Sequence, residues 1–212
     1  MAYTTYTDVN LMTNLTSSDV ANADITSIIA EATKELNALI NVHIERERVL
    51  FIDNTRKNEI NSSNTVFYVK NWNGKFLADT NDSGGVTADD VTIYLVDGNG
   101  TETTATVSSI DASLGKFTLS SAPTGGDMYV TYEWCYKNAG APDPLIKLAC
   151  TLLSSAYCYA KVNFGRAPQV AFGNTKLYRH MDSFELYYQR FMKVVNQINN
   201  QMSDYKESTE TF

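Results

Sequence analysis

The stretch LINVHIERERVLFI, residues 39–52, contains the change of hydrophobic pattern that decides the fold. Over residues 24–40 apolar side chains recur every three or four positions, which predicts an amphipathic helix. From Val42 onward apolar and polar side chains alternate, which predicts a β-strand with Arg46 and Arg48 on the face that carries Val42. The chain is therefore expected to pass from helix to sheet inside this stretch.

Patterns typical of β-strands continue through the middle of the chain. Turn sequences such as DGNG at 97–100 and PTGG at 123–126 separate runs rich in β-branched and aromatic residues. The predicted further strands are 65–70, 91–96, 103–110, 116–119 and 128–136. Several short strands with such spacing predict a small antiparallel sandwich or barrel. The last strand carries an aromatic cluster, interpreted as core packing or alternatively as a contact patch: Tyr129, Tyr132, Trp134 and Tyr136.

Helical spacing returns near the end of the chain. Asp143 and Pro144 predict a capped helix start, and Gly165 predicts its end. This helix is apolar on most sides, so it is expected to lie at the centre of its domain or between neighbouring subunits. A last amphipathic helix is predicted over residues 182–205, and a short segment over residues 8–15 precedes the first long helix.

These patterns together predict an α+β protein. Residues 1–41 and 138–212 are expected to form a helical domain with three main helices. Residues 42–137 are expected to form a small antiparallel β-sandwich or barrel inserted into that helical domain.

Composition limits the classes of function. The 212 residues are 43% hydrophobic and 19% charged, which suits a soluble chain with a real core. The net charge of −7 argues against a protein that clamps nucleic acid, because phosphate contacts need clustered Lys and Arg. The start of the chain lacks the basic and apolar regions of a signal peptide, and the uncharged stretch between Lys147 and Lys161 is too short for a bilayer. No membrane partner is expected.

Residues that carry catalytic or metal chemistry are sparse. Cys135, Cys150 and Cys158 lack CxxC-type spacing, so they are interpreted as small buried side chains and fit synthesis in the cytoplasm. His43 and His180 stand outside any G-x-S-x-G motif, and no glycine loop for phosphate occurs. The protein is expected not to be an enzyme and to require no cofactor.

One motif carries a sharper chemical signal. Residues 79–90 read DTNDSGGVTADD, which is similar to the calcium loops of EF-hands and dockerins. Oxygen donors stand at the ligand positions and a glycine stands at the turn, as a hard cation requires. A structural Ca²⁺ site is one interpretation, and a polar turn rich in Asp, Asn and Gly is the other. The candidate ligands are Asp79, Asn81, Ser83, Gly85 and Asp90.

Three stretches of the helical parts carry a family resemblance. They are YTDVNLM at 6–12 followed by DITSIIAEAT at 24–33, PDPLIKLA at 142–149, and the amphipathic C-terminal helix with its polar tail. They resemble the head–tail connector (adaptor) family of tailed bacteriophages, in which a short D-V helix leads into I-x-x-I-I-x-x-A and a later helix begins P-x-x-L-K-x-A. The resemblance covers a little over half of the chain, and the β-domain departs from the smallest family members.

The resemblance implies a structural protein of the virion neck, made in the host cytoplasm. Copies would form a ring, expected to be a dodecamer, between the portal protein and a stopper or tail-completion protein. DNA would pass through the lumen without specific binding. Residues 203–212 would dock on the portal, with Tyr205 and Phe212 as anchors.

A different class of function stays open. The β-domain would then be a carbohydrate- or receptor-binding module, because aromatic side chains near a calcium loop suit a sugar site. The candidate residues are Tyr68, Trp72 and Tyr94.

Overall fold

The computed structural model describes residues 2–53, 55–70, 75–81, 85–136, 143–165 and 181–207, with the side chains of 75–76, 136, 163–165, 181–182 and 202–207 outside that description. The fold is mixed α+β. The chain divides into two compact units: a helical unit of residues 2–40 and 142–212, and a β-unit of residues 41–141. The divisions predicted from the sequence, at 41/42 and 137/138, lie one and four residues from these.

Within the described residues, four helices form the helical unit: α1 (Tyr6–Thr13), α2 (Asn22–Ile40), α3 (Pro144–Gly165) and α4 (Met181–Glu207). α3 packs against each of the other three. Its side chains Ile146 and Leu153 are fully buried, and so are Leu36 of α2 and Phe191 of α4. Each such side chain contributes about 1.5–3 kcal/mol by leaving water. The prediction of a central helix is confirmed for α3.

One segment among the described residues, Pro144–Val162, is long and apolar enough to cross a membrane by length and composition. The sequence expectation was wrong on this point, because it counted only the uncharged stretch between Lys147 and Lys161. In the structure 61% of the segment is buried. The core helix of a soluble protein meets the same criterion, and contacts with three helices account for its apolar composition.

Both ends of the short helix α1 are fixed by side chains. At its start Thr5 and Asp8 form a capping box, in which each side chain accepts the main-chain N–H of the other residue. The ammonium group of Lys147 on α3 lies 3.0 Å from the Asp8 carboxylate. At its end Tyr159 and Tyr187 donate their hydroxyl groups to main-chain carbonyls of the last turn, over 2.8 and 2.9 Å. These contacts connect α1 to both α3 and α4.

The described part of the β-unit contains antiparallel strands in three sheets. The strands are β1 (Val42–Arg48), β2 (Phe51–Ile52), β3 (Lys57–Asn58), β4 (Val66–Tyr68), β5 (Lys75–Leu77), β6 (Val91–Val96), β7 (Glu102–Ala105), β8 (Val107–Asp111), β9 (Lys116–Leu119) and β10 (Asp127–Tyr136). The largest sheet has the order β1-β10-β6-β7, with β5 also paired to β10; the second has the order β4-β9-β8, and β2 pairs with β3. Short 3-10 helices occupy Ala88–Asp90 and Ala112–Leu114.

The single strand predicted over residues 103–110 is two strands in different sheets. β7 pairs with β6, whereas β8 pairs with β9. The chain leaves the first sheet at Thr106, whose carbonyl accepts the main-chain N–H of Ser120 at 2.9 Å. The run of β-branched residues does not reveal this bend, because both halves have the same composition.

A β-bulge changes the faces of β1. Glu45 and Arg46 together stand opposite one residue of β10, Thr131. Arg46 has φ +52°, in the left-handed region, and its N–H donates to the hydroxyl of Thr131 at 3.1 Å. Beyond the bulge the two faces of the strand are exchanged, so Arg46 and Arg48 lie on the other face of the sheet from Val42. The prediction that put them on one face is wrong, because strict alternation carries no sign of an inserted residue.

The aromatic cluster of β10 divides between the two faces of its sheet. Tyr132 and Trp134 are each 2% exposed, which confirms the core interpretation for them. Tyr129 is half-buried on the opposite face, and the side chain of Tyr136 lies outside the described part. In the second sheet the rings of Phe67 and Phe117 stack with centroids 6.0 Å apart.

Candidate functional site

The predicted calcium loop is organised around Asp90, which is 4% exposed. Its Oδ1 accepts the main-chain N–H and the hydroxyl of Thr80, each at 2.8 Å, and the N–H of Asn81 at 3.3 Å. Its Oδ2 accepts the N–H of Thr87 at 2.7 Å and the hydroxyl of Thr87 at 3.2 Å. One carboxylate oxygen therefore binds the start of the loop, and the other binds the end of the loop.

These hydrogen bonds keep Asp90 ionised. Burial raises the pKa of the carboxyl, but the donors from Thr87, Thr80 and Asn81 outweigh burial, and the pKa lies below its ordinary value. The hydrogen bonds of Asp90 connect the described sides of the loop, at residues 80–81 and at Thr87. This arrangement gives Asp90 a structural role in the loop.

The calcium site stays a prediction. The structure brings Asn81 and Asp90 together by a main-chain contact, and Ser83 lies outside the described part. In the described ranges, no three His, Cys, Asp or Glu residues converge where a metal ion could bind. Calorimetric titration of the protein with CaCl₂ tests the prediction, and an absence of binding heat would remove it.

A second group of interacting side chains lies on the outer face of the largest sheet. The sequence did not indicate it. The side chain of Arg46 extends from β1 across β10 and β6 and pairs with Glu102 on β7. Its guanidinium carbon lies 4.8 Å from the ring centroid of Tyr94 and 5.4 Å from that of Tyr129. These four residues are called the cross-sheet clamp. Beside it, Arg48 pairs with Asp127 at 2.7 Å.

The cross-sheet clamp explains why Arg46 adopts a left-handed backbone conformation. A non-glycine residue in that region costs about 1–2 kcal/mol. The bulge turns Arg46 to the outer face, where cation–π contacts and the ion pair with Glu102 offset the cost. Hydrogen bonding to Arg46 also lowers the pKa of the Glu102 carboxyl below its ordinary value. The clamp therefore joins four strands on their solvent side.

Of the residues proposed for a sugar site, the two described ones belong to different sheets. Tyr94 lies in the largest sheet, where the Arg46 guanidinium covers its ring, and Tyr68 belongs to the second sheet. Trp72 lies outside the described residues. The carbohydrate-binding alternative stays a prediction.

In the helical unit, the stretches that carry the family resemblance form α1, α2 and the start of α3. Asp24 of α2 pairs with Lys161 of α3 at 2.8 Å, and the hydroxyl of Tyr157 donates to the carboxylate of Glu35. The described parts of the three stretches thus lie in one packed assembly of α1, α2, α3 and α4. Of the predicted docking anchors, Tyr205 belongs to α4 but its side chain lies outside the described part, as does the whole of Phe212.

The cysteines and His43 have ordinary structural surroundings. Cys135, Cys150 and Cys158 are buried and form no disulfide bond, which confirms the interpretation as small buried side chains. Burial raises the pKa of the Cys150 thiol, and it raises that of the Cys158 thiol to about 11, so neither is a reactive thiolate near neutral pH. His43 is mostly exposed and lies 3.7 Å from Glu133. His180 lies outside the described residues.

Comparison with known proteins supplies no identification. The chain matches no protein-family model, and no curated protein matches it.

Proposed function

We propose that the protein is a head–tail connector of a tailed virus, an adaptor that forms a ring between the portal and the tail or stopper. The observation that carries the proposal is which segments of the chain form the helical unit. Segments from both sides of the β-unit, α1 with α2 and α3 with α4, pack as one assembly around α3. The described parts of the three stretches that resemble connector proteins lie in this assembly.

Charge and surface chemistry support the same role. A ring through which DNA slides should not grip phosphate, and the net charge of −7 gives no general attraction for DNA. The ring, expected to be a dodecamer, would extend the DNA channel without reading its sequence. The protein would have no enzymatic activity and would reside in the virion neck.

The C-terminal residues 203–212 are proposed to bind the portal protein. This segment is polar but contains two aromatic residues, Tyr205 and Phe212, seven positions apart. Aromatic side chains are the usual anchors where a polar segment orders on a partner.

The experiment is light scattering of the purified protein, alone and mixed with the portal protein of the same virus. The expected result is co-assembly in about equal numbers, or a ring-sized particle of the protein itself. Phe212→Ala should weaken co-assembly with the portal roughly tenfold or more, as the loss of an aromatic anchor does. Thr211→Ala is the matched control and should bind like the wild type. A protein that stays monomeric and ignores that portal would overturn the proposal.

A further inference from the structure

The sheet edges of the β-unit differ in how their outward main-chain groups are used. At the edge strand β4, the N–H of Val66 donates to the side chain of Asn64 at 3.0 Å. The side chain of Asn58 accepts the N–H of Tyr68 at 3.0 Å and donates to its carbonyl. Two asparagine side chains thus occupy the positions that another strand would take, so β4 is closed to pairing.

The edge strand β1 is closed in another way. A bulge at Glu45 and Arg46 interrupts it. Four consecutive charged residues, 45–48, follow one another along this edge. Bulges and charges are devices by which natural sheets prevent pairing with other chains.

The edge strand β7 has no bulge and no asparagine cap among the described residues, and Glu102 is its single charged residue. The hairpin bond from the N–H of Asp97 to the carbonyl of Thr101 fixes the alternation of hydrogen bonds between β6 and β7. By that alternation, the main-chain groups of Thr103 face β6, and those of Glu102 and Thr104 face away from the sheet. In the described part of the chain, no strand or asparagine pairs with this side of β7. Glu102, Thr103 and Thr104 are all exposed.

We infer that β7 pairs antiparallel with β7 of a second copy of this chain. The outward N–H and C=O groups allow three pairings of β7 with itself about a two-fold axis (a dyad), which passes through Glu102, Thr103 or Thr104. A dyad at Glu102 would oppose like charges, which disfavours it. A dyad at Thr104 needs the carbonyl of Thr106, which already accepts the N–H of Ser120. The dyad at Thr103 meets neither obstacle.

In this register Glu102 of each copy stands opposite Thr104 of the other copy. The two Thr103 residues stand opposite each other. Threonine pairs across strands are favourable, and no like charges meet. A contact this small is weak, so two copies associate transiently. The inference does not rest on the connector proposal, because a two-fold contact joins two copies whereas a ring needs head-to-tail contacts.

The three native cysteines are buried, so an added surface cysteine reports on its own position. At the dyad the two Cα atoms would lie about 4.5 Å apart, within disulfide range. Thr103→Cys is therefore expected to form a disulfide dimer under mild oxidation with copper phenanthroline. Ser109→Cys, exposed on β8, is the matched control and should cross-link several-fold more slowly. Equal rates for the two variants would overturn the inference.

A second pair of variants tests the register by charge. In the Thr103→Cys background, Thr104→Glu places like charges opposite each other and should slow cross-linking several-fold. Thr104→Lys places Lys opposite Glu102 and should preserve or speed it. Position 104 is exposed, so both variants should fold, which circular dichroism checks. Identical rates for the Glu and Lys variants would show that Glu102 and Thr104 do not meet and would overturn the register.

Discussion

The helical unit and the β-unit are held together by different kinds of interaction. The helical unit buries apolar stripes around α3, and its polar contacts fasten helix ends. The β-unit depends more on side chains that bind the main chain of loops and edges, as Asn58 and Asp90 do. Apolar packing tolerates variation in sequence, whereas a side chain bound to the main chain needs one residue type in one geometry. The two units should therefore respond differently to substitution.

The largest expected effect is in the helical core. Leu153→Ala removes a fully buried side chain at the centre of α3 and should lower the free energy of unfolding by about 3 kcal/mol. Leu148→Ala, on the same helix but 37% exposed, should cost under about 1 kcal/mol. Urea unfolding followed by far-ultraviolet circular dichroism, which reports mainly on helix, measures both. Equal costs would contradict the central position of α3.

The matching substitution in the β-unit is Asn58→Ala. It leaves two carbonyls and one N–H without their bonds to Asn58, which should cost about 2 kcal/mol. Both tryptophans lie in the β-unit, so tryptophan fluorescence during urea unfolding follows this unit. Asn99→Ala is the control, because Asn99 is an exposed turn residue, and it should cost clearly less. If Asn58→Ala were as mild as Asn99→Ala, the main-chain bonds of Asn58 would not stabilise the β-unit.

The smallest effect separates backbone strain from side-chain contacts at the bulge. Arg46→Ala and Arg46→Gly lose the same clamp, but glycine adopts φ +52° without the steric cost that alanine bears. Arg46→Gly should therefore be more stable than Arg46→Ala by about 1 kcal/mol in urea unfolding. The reverse order would mean that the backbone relaxes once the arginine is gone.

The sequence predicted the helical unit better than the β-unit, for a physical reason. Helical stripes extend over many turns, so residues such as Leu36 and Leu153 could be placed in a core from spacing alone. The bulge at Arg46 and the bend at Thr106 each depend on a single main-chain geometry, and spacing does not encode it.

The candidate site divides in the same way. The loop around Asp90 was found from its oxygen-rich pattern, but its internal hydrogen bonds depend on how the loop closes. The cross-sheet clamp left no sign in the sequence, because Glu102 and Arg46 are far apart along the chain and meet only when four strands are in register. The open edge of β7 likewise could not be predicted from the sequence, because it is recognised only by comparison with the closed edges of β1 and β4.

The insertion of the β-unit has a consequence for synthesis on the ribosome. The hydroxyl of Thr33 on α2 meets the thiol of Cys150 on α3, a residue made 117 positions later. α1 and α2 therefore leave the ribosome long before their core partners exist, while residues 41–141 can complete their own sheets in the interval. The newly made chain would carry an exposed apolar α2 until α3 and α4 emerge, a stage at which chaperones would be needed most.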